Sequence, residues 1–263
     1  MPLSWKRPVS SEYPKVWHRF SAAGENFVIQ DLPESMNEEA IHFMKVYYHV
    51  SEPLTVSYRL HENLFFLDYC DSLFRWMILK QKAALVCLKE GSDEIIGLNM
   101  NYVVNLSEDS YGIKDLWRSF YLIVQEIYHV CTDRRYTLAS MLESHRNIKR
   151  YQNVVEVMRN GVMFNSEQIL NGGGLCVSPK YRNRGIGAEL LKTREQFCEE
   201  FNIKLTSNVF TSDAAGRCAA KAGFITEKEL SYDTIRQNYP GLLPDNIGSN
   251  TISLRSMSLG KGA

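Results

Sequence analysis

The stretch Leu175-Cys176-Val177-Ser178-Pro179-Lys180-Tyr181-Arg182-Asn183-Arg184-Gly185-Ile186-Gly187-Ala188-Glu189-Leu190-Leu191 decides how the rest of the chain is read. A short apolar run of strand character stops at Pro179, and a basic turn carries two glycines. An amphipathic helix follows, with Ile186, Leu190, Leu191, Phe197, Cys198 and Phe201 on one face. Strand, glycine-rich turn and helix start together make an anion site. The first amides of a helix have no acceptor within it, and the helix dipole adds positive potential there. Gly185 and Gly187 let a ligand come close to the backbone. Arg182 and Arg184 can add charge-assisted hydrogen bonds to a phosphate. Arg182, Asn183, Arg184, Gly185, Ile186, Gly187 and Ala188 are therefore the expected seat of a phosphorylated cofactor. Two nucleotide signatures fit badly. A Walker-type loop needs Gly-Lys-Ser/Thr, where this turn continues Ala188-Glu189. A dinucleotide fingerprint needs a third glycine, and that position is Leu190.

The wider pattern Val177-x-Pro179-x-Tyr181-Arg182-x-Arg184-Gly185-Ile186-Gly187-x-x-Leu190-Leu191 resembles the acetyl-CoA-binding motif of the GNAT acetyltransferase superfamily. Further on, Ala219-Ala220-Lys221-Ala222-Gly223-Phe224 is similar to the short helix and Gly-Phe strand entry that close that family's core. The resemblance is specific from Gly174 to Phe224. It implies an α/β fold with a central mixed, mostly antiparallel twisted sheet and flanking helices. It also implies acetyl-CoA as cosubstrate, held by the basic turn, by Cys176 and Val177 on the strand before it, and by Ser212. In GNAT enzymes that strand splays from its neighbour, and a free backbone N–H meets the thioester oxygen; the Val177 region is the counterpart here.

Acetyl transfer to an amine needs a deprotonated amine, a stabilised oxyanion and a tolerated thiolate. For the base, Ser51-Glu52-Pro53-Leu54 is similar to the Glu-Pro-Leu segment of insect arylalkylamine N-acetyltransferases, which implies Glu52 as general base, acting through water. The bland alternative is a helix-end surface carboxylate. Many GNAT enzymes carry a tyrosine acid on the short helix after the fifth strand, and here that position is Ala219. The usual asparagine cap of that helix is Ser212. Insect dopamine-type enzymes have two serines near the helix start; aligned on Gly223-Phe224, the first falls on Thr211 and the second on Ala215. Thr211 or Ser212 is thus expected to contact the cofactor or relay a proton, or the thiolate leaves unassisted.

Along the chain, residues 1–24 read as an extended arm that packs Trp5 and Trp17 on the domain. Phe27-Val28-Ile29 is a short strand, and Ser35 with Glu38 forms a capping box for a helix that ends near Pro53. A long helix spans about 58–80, with Trp76 and Met77 among its inward side chains. Ala84–Leu88 and Ile95–Val104 make a hairpin. Residues 106–171 read as an enlarged helical insertion, in pieces at 113–131, 139–147 and 154–158. The acetyl-CoA-binding core spans 173–224. Phe224–Tyr232 and Thr251–Met257 form a final antiparallel pair, joined by a loop whose Pro240-Gly241-Leu242-Leu243-Pro244 is expected to be a mobile substrate flap.

Composition sets the boundaries. With 263 residues and 44% apolar content the chain is read as one domain, 1–263, with a sizeable core. Thirty basic residues balance thirty acidic ones, which argues against nucleic acid as a partner. Six cysteines show no Cys-x-x-Cys pair, so reduced thiols and no metal are expected. No signal-like or membrane-length apolar run appears, so the expectation is a cytoplasmic monomer with no membrane partner. The expected activity is acetyl-CoA-dependent N-acetylation of a small primary amine, of the dopamine, tyramine or serotonin kind. Alternatives are a polyamine or agmatine acceptor, a longer acyl-CoA donor, or a non-catalytic acyl-CoA-binding module. Tyr47, Tyr48, His49, Tyr58 and His61 surround the Glu52 turn as acceptor-pocket candidates, or simply as core.

Overall fold

The structure is a computed structural model that describes residues 5–9, 11–106 and 137–259. Its strands are β1 (Val16–Ala22), β2 (Glu25–Asp31), β3 (Leu85–Lys89), β4 (Ile95–Asn105), β5 (Gln168–Val177), β6 (Leu205–Phe210), β7 (Ile225–Ser231) and β8 (Thr251–Ser258). The helices are α1 (Asn37–Phe43), α2 (Pro53–Ser57), α3 (Leu64–Gln81), α4 (Leu138–Arg159), α5 (Ile186–Glu200), α6 (Asp213–Lys221) and α7 (Tyr232–Asn238). All eight strands form one open sheet in the order β1-β2-β3-β4-β5-β6-β8-β7. Every neighbouring pair is antiparallel except β5 and β6. The expected mixed, mostly antiparallel α/β architecture is what is found.

Side chains that alternate along a strand line opposite faces, and here both faces are covered. Phe27, Ile29, Leu85, Ile96 and Leu170 pack on the α5 side against Ile186, Leu190 and Phe197. Val28, Val86, Leu98 and Met100 pack on the other side against Ile41, Met44, Leu54 and Phe74.

Several local readings are corrected. Part of the N-terminal arm is an edge strand, β1, although Trp5 and Trp17 do pack on Phe201 and Phe197, with ring centroids 5.8 and 5.6 Å apart. The Ser35–Glu38 capping box does not form: Glu34–Met36 is a 3₁₀ turn, α1 starts at Asn37 without a side-chain cap, and Glu38 is engaged by Arg75 of α3. After Phe43 the helix widens into a π turn, Met44–Tyr48. The long helix begins only at Leu64, because Arg59 takes a left-handed conformation (φ 55°) that breaks it. The side chains of Trp76 and Met77 lie outside the described residues, as does the expected helix at 113–131. The two later pieces of the insertion are one continuous helix, α4, capped at Thr137. The 106–171 segment also includes the first residues of β5. The expected flap is tied down: the Tyr58 hydroxyl donates to the Leu242 carbonyl (2.6 Å), Arg236 to those of Pro244 and Asp245, and Leu243 is buried.

Candidate active site

The basic turn before α5 is built from backbone geometry. Asn183 (φ 64°) and Gly185 (φ 82°) both take left-handed conformations, which fold the chain sharply into α5. The first amides of α5 point out of its N-terminus. Gly187 lies against Val177 and Cys218: a Cβ there would stand 3.3 Å from Cys218 Sγ. The two arginines are less free than their sequence suggests. Arg182 donates from Nε to the Val177 carbonyl (3.1 Å), and Arg184 is engaged by Glu25 while lying over the Tyr181 ring. Hydrogen bonds from Lys89 and Arg184 hold the Glu25 carboxyl below the usual carboxylate range. The turn can therefore seat a diphosphate chiefly through its amides.

Upstream of the turn the sheet splits. β5 and β6 are paired only at Ile169–Leu205, Leu170–Thr206 and Asn171–Ser207. Beyond that level a side chain replaces the ladder: Asn208 Oδ1 accepts the Gly172 amide at 2.8 Å. The Ser178 amide donates to the Ile96 carbonyl at the start of β4 (2.9 Å), so alternate residues of β5 turn the other way. The amides of Leu175 and Val177 consequently face the split. The Cys176 side chain packs on the α1 side of the sheet, so only its backbone borders the split; burial pushes its thiol up to about 12.

On the other side of the split stands Glu52. It is 4% exposed and caps α2, and Pro53 supplies the first helical residue. Its carboxylate accepts the amides of Leu54 (3.2 Å) and Thr55 (2.6 Å), and the Thr211 hydroxyl at 2.5 Å. Thr211 is in turn held by Tyr232, whose hydroxyl donates to the Thr211 carbonyl at 2.7 Å. Tyr48 and Tyr151 lie nearby. Burial first, and the Glu52 charge second, hold Tyr48, Tyr151 and Tyr232 well above the ordinary tyrosine range, so all three stay protonated. Gly174 makes room for this group: a Cβ there would fall 2.7 Å from Met44 Cε and 3.2 Å from Tyr48 Cζ. The π turn can thus press Tyr48 onto β5.

The structure brings Glu52 and Thr211 together although 159 residues separate them. Ser212 sits one residue on and is occupied as the cap of α6, accepting the Ala215 amide at 3.1 Å. Ala219 is fully buried against α5 and offers no hydroxyl. His49 stacks on Phe74 away from the split, and burial lowers it to about 4. Sequence reasoning missed Tyr151 and Tyr232, which reach Glu52 from α4 and α7. Among the described residues no group of metal-ligating side chains is found, and no helix is long and apolar enough to cross a membrane.

Known structures share this fold. A crystallised insect protein from the yellow fever mosquito Aedes aegypti, designated arylalkylamine N-acetyltransferase 7, is 26% identical over 98% of this chain and 100% of its own, with a TM-score of 0.76. Arylalkylamine N-acetyltransferase 2 of Aedes aegypti is 13% identical over 89% of this chain and 99% of its own, with a TM-score of 0.67. A Drosophila melanogaster polyamine N-acetyltransferase that forms N-acetylagmatine is 16% identical over 89% of this chain and 100% of its own, at 0.55. No curated protein sequence matches the chain significantly. The model of the acetyltransferase (GNAT) family matches residues 58–224, most of the chain and the whole of the split, the basic turn and α6, and the chain belongs to that family as an N-acetyltransferase.

Proposed function

We propose that the protein transfers the acetyl group of acetyl-CoA to a small primary amine by direct attack, with an arylalkylamine as the acceptor. The observation that carries this reading is the buried contact between Glu52 and Thr211 beside the split in the sheet. Acetyl-CoA supplies the activated acyl group; the turn from Arg182 to Ala188 fits its diphosphate and the split fits its arm. The chain's own residues do the rest. Glu52 takes the amine's proton, directly or through a water, as the nitrogen attacks. The amides of Leu175 and Val177 meet the developing oxyanion. The C–S bond breaks and the thiolate leaves unassisted, which costs little for a thiol with a pKa near ~8.5. The Thr211 hydroxyl keeps its proton and donates a hydrogen bond to Glu52, so it orients the base rather than protonating sulfur.

Three protonated tyrosines around one carboxylate support an aromatic acceptor with a single cationic end. A polyamine needs a second anion, and the nearest acids on α3, Asp68 and Asp71, stand within 4.0 and 3.6 Å of Lys45. The test is release of free coenzyme A with tyramine, dopamine, serotonin, agmatine and putrescine. An arylalkylamine should give the highest kcat/KM, and Glu52→Gln should lower it about 10²–10⁴-fold. A preference for agmatine would move the acceptor to the polyamine class. Acetyl-CoA binding without turnover of any amine would make the protein a binding module.

A further inference from the structure

The split between β5 and β6 has a definite end, and a side chain makes it. Asn208 is the first residue of β6 beyond the last paired level, Asn171 with Ser207. Its Oδ1 accepts the Gly172 amide at 2.8 Å and its Nδ2 donates to the Val209 carbonyl at 3.3 Å, so the carboxamide bars the gap where the ladder stops. Gly172 lets it come this close: a Cβ there would stand 2.9 Å from Asn208 Oδ1 and 3.3 Å from Arg194 Nη1. Exposure changes at the same level. Gly172, Gly173, Asn208 and Val209 are half-buried, whereas Leu170, Thr206 and Arg194 behind them are fully buried. Arg194 Nη2 and the Thr206 hydroxyl both donate to the Leu170 carbonyl, at 2.6 and 2.8 Å, which ties the strands together behind the carboxamide. On the α1 side Met44 and Tyr48 close over Gly174, where a Cβ would meet them at 2.7 and 3.2 Å.

The donor runs toward this stop. The diphosphate seat follows Val177 in the chain, so the path along β5 from Val177 to Leu175 and on to Gly172 leads away from the phosphates. From Leu175 to Gly172 is about 10 Å of strand, and a van der Waals contact of about 3.5–4 Å against the carboxamide leaves about 6 Å for the acyl chain. On the donor reading above, we propose that Asn208 is the stopper of the acyl pocket and sets its length, so that the protein takes acetyl and other short acyl groups and rejects chains of about six carbons or more. A longer chain has to push Oδ1 off the Gly172 amide, which leaves that N–H unpaired, and then meets the packed Leu170, Thr206 and Arg194. The transfer itself is the same for every acyl group. The amine nitrogen bonds the acyl carbon, the C–S bond breaks, its electron pair leaves on sulfur, and the amine's proton goes to Glu52.

The test measures kcat/KM of the whole protein for acetyl-, propionyl-, butyryl-, hexanoyl- and octanoyl-CoA, with the best amine of the panel above, by release of coenzyme A. In the wild type hexanoyl-CoA should stand about tenfold or more below acetyl-CoA. Asn208→Ala removes the carboxamide and should move the fall-off outward by about two carbons, raising the hexanoyl-to-acetyl ratio about tenfold. The ratio is taken within each protein, so a general loss of activity does not imitate it. Asn208→Ser, also small but with a hydroxyl beside the Gly172 amide, gives the same reading where the alanine variant fails to fold. Hexanoyl-CoA used as well as acetyl-CoA by the wild type overturns the stopper, and so does an unchanged fall-off in the variants; either result leaves acetyl-CoA as donor. No turnover with any acyl-CoA overturns the donor reading itself.

Discussion

Replacing Thr211 with valine keeps the side-chain shape and removes only the hydroxyl that donates to Glu52 at 2.5 Å. Glu52 is 4% exposed, so no bulk water stands ready to replace that bond. A hydrogen bond to a charged group is worth about 1.5–3 kcal/mol, and each 1.4 kcal/mol is about tenfold in rate. Thr211→Val should therefore lower kcat/KM for the amine about 10- to 100-fold. Acetyl-CoA affinity should stay within about twofold, because the Thr211 proton is committed to the base and not to the donor. Thr211→Ser, which keeps the hydroxyl, should recover most of the loss. Steady-state kinetics of coenzyme A release, paired with calorimetric acetyl-CoA binding, read both quantities. A Thr211→Val enzyme with wild-type kcat/KM refutes the orienting role. So does a loss of acetyl-CoA affinity as large as the loss of turnover, since Thr211 would then be a donor contact.

Three further outcomes are expected. Gly187→Leu forces a side chain into the space beside Cys218 and Val177 and should weaken acetyl-CoA binding about 100-fold or more by calorimetry; unchanged affinity would remove the turn from the donor site. His49 is neutral in the fold, with its pKa lowered by burial and then by Lys45 to about 4 from 6.5. The unfolded chain therefore takes up a proton that the folded chain refuses between those values, and stability present above about pH 6.5 is lost as the pH falls toward 4. The loss is at most about 3 kcal/mol, and urea unfolding of His49→Phe should show a flatter profile than wild type across this window. Tyr58→Phe removes the hydroxyl that holds the Leu242 carbonyl. That change should cost about 1 kcal/mol, with faster hydrogen exchange around residues 240–244; unchanged exchange would mean that the loop is held elsewhere.

The strand–turn–helix unit from Leu175 to Leu191 was legible because it is local. Pro179, Gly185, Gly187 and the apolar spacing of α5 all fall within one strand–turn–helix unit, and each has a conformational meaning of its own. Glu52 stood out through Pro53 and the segment it resembles. Its partners did not. Tyr151 and Tyr232 reach it from distant helices, and no spacing rule links residues so far apart. The π turn at Met44–Tyr48 carries no residue signature, so the segment reads as one helix running on toward Pro53. The capping box failed because the chain near Pro33 prefers a 3₁₀ turn and Arg75 claims Glu38. Arg194 was visible in principle: it lies four residues after Leu190 and three before Phe197, on the face read as apolar. A charge on a buried stripe is a signal that the list of apolar positions passes over.

The strand order β6-β8-β7 also bears on how the protein is made. β1 to β5 pair in chain order, so they can zip together as they leave the ribosome. β8 is synthesised after β7 yet lies between β6 and β7, and its first residue is tied to the start of α6 by Asp213, which accepts the Thr251 amide and hydroxyl. Until β8 threads into that gap, β6 has no partner on its far side and α6 no clasp. Thr211, at the junction of the two, then has no fixed position from which to reach Glu52. On the proposed function, nascent chains would carry the basic turn well before Thr211 is fixed beside Glu52, so the ability to hold the donor should arise earlier in synthesis than the ability to use it.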